Sequence, residues 1–108
     1  MAKLWVDDKR QPPEGEEWAW RINSTHAIST LDVEEPFVVI SLDYSLGRDW
    51  DDNGATVLKW LSEHPDKWPI EELRLHSGSS SGRQLLEEMA KECAPEGWAG
   101  KIIDTGGF

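Results

Sequence analysis

The chain has 108 residues, a single cysteine and a formal net charge of −10 from 21 acidic and 11 basic residues. Its length supports one hydrophobic core, so we expect a single domain over residues 1–108. The acidic balance excludes the broad basic surface that long nucleic acids need, and a lone Cys93 excludes an internal disulfide. Since no apolar run is long enough for a membrane span and no secretion signal is recognised, we expect a cytoplasmic protein without a membrane partner.

The first predicted element is a short buried strand, Lys3–Val6, which ends on the adjacent acids Asp7 and Asp8. Pro12 and Pro13 then remove two backbone donors and fix two φ angles, which prevents a helix at this point. A loop therefore follows the first strand. Its two carboxylates lie at the carboxyl end of the strand, where open α/β sheets bind ligands.

The sequence predicts the third strand more clearly than the second. Residues 18–22 predict a second strand, and Asn23 or Ser24 is a suitable N-cap for a helix that follows it. Residues 36–43, "PFVVISLD", predict the strongest strand of the chain, because an apolar run without alternation is typical of a parallel strand buried on both faces. This third strand also ends on an acid, Asp43.

A second helix is predicted over residues 55–64, and residues 70–77 predict a fourth strand that ends on His76 and Ser77. A loop rich in glycine and serine then opens the last helix, within residues 78–93. The helical spacing of its apolar residues predicts a buried face formed by Leu85, Leu86, Met89, Ala90 and Cys93.

The final segment, residues 100–108, predicts a short fifth strand. Strands and helices alternate along most of the chain, which is typical of a parallel sheet with right-handed crossovers. We therefore expect an α/β fold with a doubly wound five-stranded parallel sheet in the order 2-1-3-4-5. In this fold the proline loop replaces the helix after the first strand.

Three carboxylates meet at one edge of this predicted sheet. In the expected order the first and third strands are neighbours, so Asp7 and Asp8 converge with Asp43. Carboxylates that lie close together repel one another, and a cation is their natural neutraliser. Hard oxygen ligands favour Mg²⁺ or Mn²⁺. Taken singly, each aspartate is also compatible with a role in stabilising a turn.

The loop "SGSSSGR", residues 77–83, predicts a phosphate-binding site at the same edge. Backbone N–H groups around Gly78, Ser79 and Gly82, together with the start of a helix, attract an anion, and Arg83 can hold two phosphate oxygens. The spacing is not that of a Walker A motif. A flexible loop with a solvated arginine is the alternative interpretation.

Two further side chains are candidates for this pocket. The proline loop can bring Arg10 over it, and His76 can deliver a proton to a leaving oxygen near neutral pH. A histidine on a strand is also compatible with hydrogen-bonded packing in the core. The sequence leaves both interpretations of His76 open.

The motifs "DDKRQPP", "SLDYSLG" and "HSGSSSG" resemble those of the cyclic-phosphate processing receiver family, over a region from residue 4 to about residue 86. That family is similar to the receiver domains of two-component signalling, in which an acidic pair and a later aspartate bind Mg²⁺. In receivers the later aspartate accepts a phosphoryl group, which a hydroxyl residue contacts. The resemblance implies Asp7, Asp8 and Asp43 as metal ligands and Ser77 as the hydroxyl residue. It also implies a receiver-like fold and a small phosphorylated nucleotide, cyclic or otherwise esterified, as the ligand.

The sequence departs from the family pattern after the third strand. Tyr44 and Ser45 stand where the family has a histidine and an acid. If the missing acid supports a metal ligand, an aspartate of the next loop is the expected substitute: Asp49, Asp51 or Asp52.

The leading hypothesis is a divalent-metal-dependent phosphoesterase or phosphotransferase that acts on nucleotide phosphates, with Asp43, His76 and Ser77 as its catalytic residues. One alternative is a receiver-like module that binds a protein partner or a nucleotide without turnover. Another is a receiver phosphorylated on Asp43. Receivers carry a lysine after the fifth strand, whereas here Lys101 precedes that predicted strand and Asp104 follows it. A bacterial and a phage source fit the sequence equally well.

Overall fold

The computed structural model describes residues 2–15, 17–46 and 52–106. Its strands are β1 (Lys3–Val6), β2 (Trp18–Arg21), β3 (Val39–Leu42), β4 (Glu72–His76) and β5 (Lys101–Gly106). Its helices are α1 (Ser24–Val33), α2 (Gly54–Ser62) and α3 (Ser80–Cys93), with a single 3-10 turn at Pro65–Lys67. Within these described ranges, no helix is both long and apolar enough to cross a lipid bilayer.

The five strands form one parallel sheet in the order β2-β1-β3-β4-β5, as predicted. The described residues between β1 and β2 contain no helix, also as predicted. In the register of the sheet, Val6 pairs with Leu42, so β1 and β3 end side by side. The residues that follow these two strands therefore emerge at the same edge.

The three helices share one hydrophobic core with the sheet. Alternate strand residues enter this core, which is the expected period of two for a strand. Each helix contributes small or aliphatic residues at helical spacing. The strand residues in this core are Leu4, Val6, Ile40, Leu42, Leu73 and Leu75, and the helix residues packed with them are Ala27, Leu31, Val57, Leu58, Leu61, Leu86 and Ala90.

The opposite face of the sheet carries tryptophans in the alternate positions. Trp5 and Trp18 make an edge-to-face pair with ring centroids 5.4 Å apart. The indole N–H of Trp5 donates to the carbonyl of Arg10 at 2.8 Å, and that of Trp20 donates to the carbonyl of Asp7 at 2.7 Å. The indoles of Trp5 and Trp20 hold the proline loop against the sheet, and Trp5, Trp18 and Trp20 are three of the seven tryptophans in the chain.

The start of α1 follows the predicted capping chemistry. Asn23 is the N-cap of α1, and its side chain accepts a hydrogen bond from the N–H of His26 at 2.8 Å. Ser79 caps α3 in the same way by accepting from Gly82. The predicted buried face of the last helix was partly wrong, because Leu85 is 42% exposed. The contact row of α3 runs through Gly82, Leu86 and Ala90 at intervals of four, which leaves Leu85 on its flank.

Candidate metal and phosphate site

The predicted acidic cluster is present at the carboxyl ends of β1 and β3. Asp7, Asp8 and Asp43 each offer a carboxylate oxygen, and these oxygens lie within 4.8 Å of one another. Asp7 is fully buried, Asp43 is 9% exposed and Asp8 is half-buried. The parallel pairing of β1 with β3 brings the three side chains together, since it aligns the two strand ends.

Asp7 is the most tightly held member of the cluster. Its Oδ1 accepts backbone hydrogen bonds from Lys9 at 2.9 Å and Arg10 at 3.0 Å, and its Oδ2 lies 3.1 Å from Nε2 of His76. Burial raises the pKa of Asp7, but the hydrogen bonds from His76, Arg10 and Lys9 outweigh it, so the pKa is lowered overall. Asp7 is therefore a fixed negative charge inside the fold.

His76 lies beneath the cluster and has no exposed surface. Its ring stacks on Trp5 with centroids 3.8 Å apart and an interplanar angle of 8°. Nδ1 lies 2.6 Å from Oγ of Ser41, while Nε2 donates to Asp7, because a carboxylate can only accept. Both ring nitrogens thus face protein groups, which favours a role in positioning Asp7 over the predicted role as a proton donor to ligand.

Asp43 has the opposite electrostatic character. Burial and the nearby charge of Asp7 raise its pKa, and this effect exceeds the opposing influence of His76 and of hydrogen bonds from Ser77 and the Tyr44 N–H. The protein alone therefore compensates the negative charge of Asp43 only in part. A divalent cation fits this donor set, since it would supply the missing positive charge to three hard oxygen ligands.

The loop after β4 closes the pocket. Ser77 is buried, its hydroxyl bonds to the Asp43 carboxylate, and its Oγ also accepts from the N–H of Ser79 at 3.2 Å. The resulting cavity of about 210 Å³ is lined by Asp7, Asp8, Lys9, Arg10, Asp43, Ser45, Ser77, Gly78 and Ser79.

Arg10 lies at the rim of this pocket, where the sequence placed it. Among the described residues its Nη1 is a buried nitrogen without a hydrogen-bond partner. Its Nη2 passes close to Gly78, where a Cβ would lie only 3.1 Å away. Gly78 therefore gives the guanidinium room beside the cavity.

Two predicted phosphate-binding residues lie outside the cavity lining. The N–H of Gly82 already donates to the Oγ of Ser79 at 3.1 Å, so it is used by the helix cap. Arg83 donates from Nη1 to the carbonyl of Ser77, and its Nε lies 2.9 Å from Oδ1 of Asp104. Both residues shape the loop that carries Ser77 instead of pointing into the pocket.

The sequence analysis assigned no role to Lys9 or Ser41, and it noted Ser45 only as a departure from the family pattern, although Lys9 and Ser45 line the pocket and Ser41 contacts His76. The sequence did contain an indication for Ser41. It is the only polar residue inside the buried strand β3, and a buried hydroxyl needs a hydrogen-bond partner. Of the expected substitute acids, Asp49 and Asp51 lie outside the described residues. Asp52 does not line the pocket: its Oδ2 accepts from the N–H of Ser24 at the start of α1, at 2.9 Å.

These features together define a receiver-like α/β domain: a parallel sheet of order 2-1-3-4-5, an acidic cluster after its first and third strands, and a hydroxyl residue after its fourth. The chain belongs to the family described as the cyclic-phosphate processing receiver domain, whose model matches residues 2–92. A search of curated proteins and a search of solved structures found no match.

Proposed function

We propose that this domain is a divalent-metal-dependent phosphoesterase or phosphotransferase that acts on nucleotide phosphates, including cyclic ones. The observation that carries the proposal is the convergence of three carboxylates within 4.8 Å, next to a buried serine and an arginine. Family membership supports cyclic phosphates as the substrate class.

The charge of the pocket supports binding of a metal ion first and of a phosphate anion second. Its lining holds three carboxylates and two cationic side chains, Lys9 and Arg10, so the net charge is negative. A bound divalent cation would make it positive, because the field of such an ion dominates its surroundings. A phosphate would then be attracted despite the acidic character of the whole chain.

Each residue has a part in the proposed reaction. Asp7, Asp8 and Asp43 would hold Mg²⁺ or Mn²⁺, which supplies Lewis-acid polarisation of the phosphoryl group. Ser77 and the N–H groups around Gly78 and Ser79 would bind the non-bridging oxygens. Arg10, with a buried Nη1 that lacks a partner among the described residues, would add a charge-assisted hydrogen bond to the same group.

His76 would act through Asp7. A carboxylate that binds a metal is usually oriented by further hydrogen bonds, and His76 supplies one at 3.1 Å. It would fix the orientation of Asp7, while the leaving oxygen would take its proton from water.

One contact argues against the alternative of a phosphorylated receiver. Lys101 and Asp104 were predicted before and after the fifth strand, but both lie within β5, and Asp104 pairs with Arg83. The lysine of receivers is expected after the fifth strand, whereas Lys101 begins β5 and Asp104, within β5, pairs with Arg83.

The proposal is tested by assaying 2′,3′-cyclic and 3′,5′-cyclic nucleotides with Mg²⁺ or Mn²⁺. We expect turnover by the wild type and by Asp32→Asn, an exposed control in α1, and no turnover by Asp43→Asn. Metal binding without turnover of either nucleotide class would overturn the catalytic proposal in favour of a binding module. A hydroxylamine-labile adduct on Asp43 after exposure to a small phosphodonor would instead identify a phospho-acceptor.

A further inference from the structure

A second cavity lies beside the acidic pocket, on the sheet face that the helices do not cover. It has a volume of about 440 Å³ and is lined by Trp5, Arg10, Gln11 and Pro13. Arg10 borders both cavities, so the two are neighbours that meet at the guanidinium.

The sizes and linings of the two cavities differ. The acidic pocket of about 210 Å³ is smaller than the usual range for small-molecule sites, and its lining suits an ion and a phosphoryl group. The second cavity lies within that range, and it combines an indole and a proline ring with the amide of Gln11. An aromatic base needs this combination of apolar surface and a hydrogen-bonding group.

We propose that this second cavity binds the base of a nucleotide whose phosphate occupies the acidic pocket. The inference rests on the proposed function for the placement of the phosphate. Arg10 would lie between the two parts of the ligand, and its buried Nη1, unpartnered among the described residues, marks it as a group that a ligand would satisfy.

The base subsite is also connected to the metal site by a row of contacts through the stacked rings. Trp5 borders the second cavity, its ring stacks on His76, and His76 holds Asp7 in the acidic cluster. A base that contacts Trp5 would therefore lie next to the ring stack that holds Asp7.

The test compares ligands that share a phosphate and differ in the base. In the presence of Mg²⁺, calorimetry is carried out with ribose 5-phosphate and with adenosine 5′-phosphate. We expect the nucleotide to bind about tenfold more tightly, because the base would remove apolar surface of the cavity from water and gain a hydrogen bond with the amide of Gln11. Gln11→Ala is expected to remove several-fold of this gain without changing ribose 5-phosphate binding. Gln84→Ala, an exposed position on α3, serves as the matched control.

The other outcomes separate the two proposals. Equal affinity for the two ligands would overturn the base subsite and leave the proposed phosphate site intact. Failure of both ligands to bind a folded, Mg²⁺-loaded protein would overturn the proposed function, and the base subsite with it.

Discussion

Nε2 of His76 lies 3.1 Å from Oδ2 of Asp7, and neither side chain has any exposed surface. Buried ion pairs and hydrogen bonds of this kind are costly to break, because removal of one partner leaves the other buried without compensation. In this protein the pair also fixes the carboxylate at the centre of the acidic cluster. The stability of the fold and the geometry of the site therefore depend on the same contact.

Replacement of His76 tests this dependence. His76→Phe keeps a ring against Trp5 but removes the hydrogen bond to Asp7, so we expect the free energy of unfolding to fall by about 3 kcal/mol. Urea denaturation measures the change. His26→Phe, at an exposed position of α1, is the matched control and should change stability by less than about 0.5 kcal/mol. Equal stability of the two variants would show that the buried contact contributes little.

Without bound metal, the Asp7→Asn and Asp43→Asn substitutions are expected to change the stability of the fold in opposite directions. The pKa of Asp43 is raised by burial and by Asp7, so its ionised form destabilises the fold, and this cost appears as the pH rises through the folded-state pKa. Asp43→Asn should therefore raise the melting temperature by several degrees near pH 7, with a smaller gain in acid.

The pKa of Asp7 is lowered, because its hydrogen bonds outweigh the effect of burial. Its ionised form therefore stabilises the fold above the unfolded-state pKa, and this contribution is lost as the pH falls through the folded-state value. Asp7→Asn should lower the melting temperature near pH 7. Thermal unfolding in EDTA across pH 4 to 8 measures both variants, and shifts of the same sign would contradict the assigned electrostatics.

Replacement by alanine is expected to reduce stability at one of two glycines beside the pocket and not at the other. At Gly54 a Cβ would lie 2.4 Å from the backbone oxygen of Asp43, so Gly54→Ala must displace the backbone of Asp43, directly after β3. We expect a loss of about 1–3 kcal/mol in stability and weaker metal binding. At Gly78 the neighbour is the flexible end of Arg10, which can move. Gly78→Ala should therefore preserve stability, as denaturant unfolding of both variants would show.

Replacement of Arg10 is expected to weaken phosphate binding without lowering the stability of the fold. Its Nη1 is buried without a partner among the described residues, so Arg10→Gln removes an unfavourable burial and should not destabilise the fold. The same change removes a charge-assisted contact to phosphate and should weaken phosphate binding by about tenfold or more. Calorimetry with ribose 5-phosphate and Mg²⁺ gives the affinity. Unchanged affinity in this variant would exclude Arg10 from the phosphate site.

The sequence was sufficient to predict the strand order of the sheet and the position of the acidic cluster. Each strand was marked by apolar residues, and parallel order places the residues after β1 and β3 at one edge, so the meeting of Asp7 with Asp43 followed from topology. The prolines correctly predicted that the described part of the segment after β1 has no helix.

The direction of the Arg83 side chain and the burial of His76 could not be predicted in the same way. Arg83 turns away from the pocket because Asp104, which is distant in sequence, lies beside it on β5. His76 is enclosed because the Trp5 ring and the proline loop cover the sheet face that a helix would otherwise occupy. Both outcomes depend on packing between segments, which a local pattern does not encode.

The central claim is that Asp7, Asp8 and Asp43 form a divalent-metal site. The most direct measurement is calorimetric titration of Mg²⁺ and Mn²⁺ into metal-free wild type, Asp43→Asn and the control Asp32→Asn. We predict one site in the wild type and in the control, and its loss in Asp43→Asn although that variant remains folded. Absence of binding to folded wild type, or equal binding by Asp43→Asn, would contradict the account.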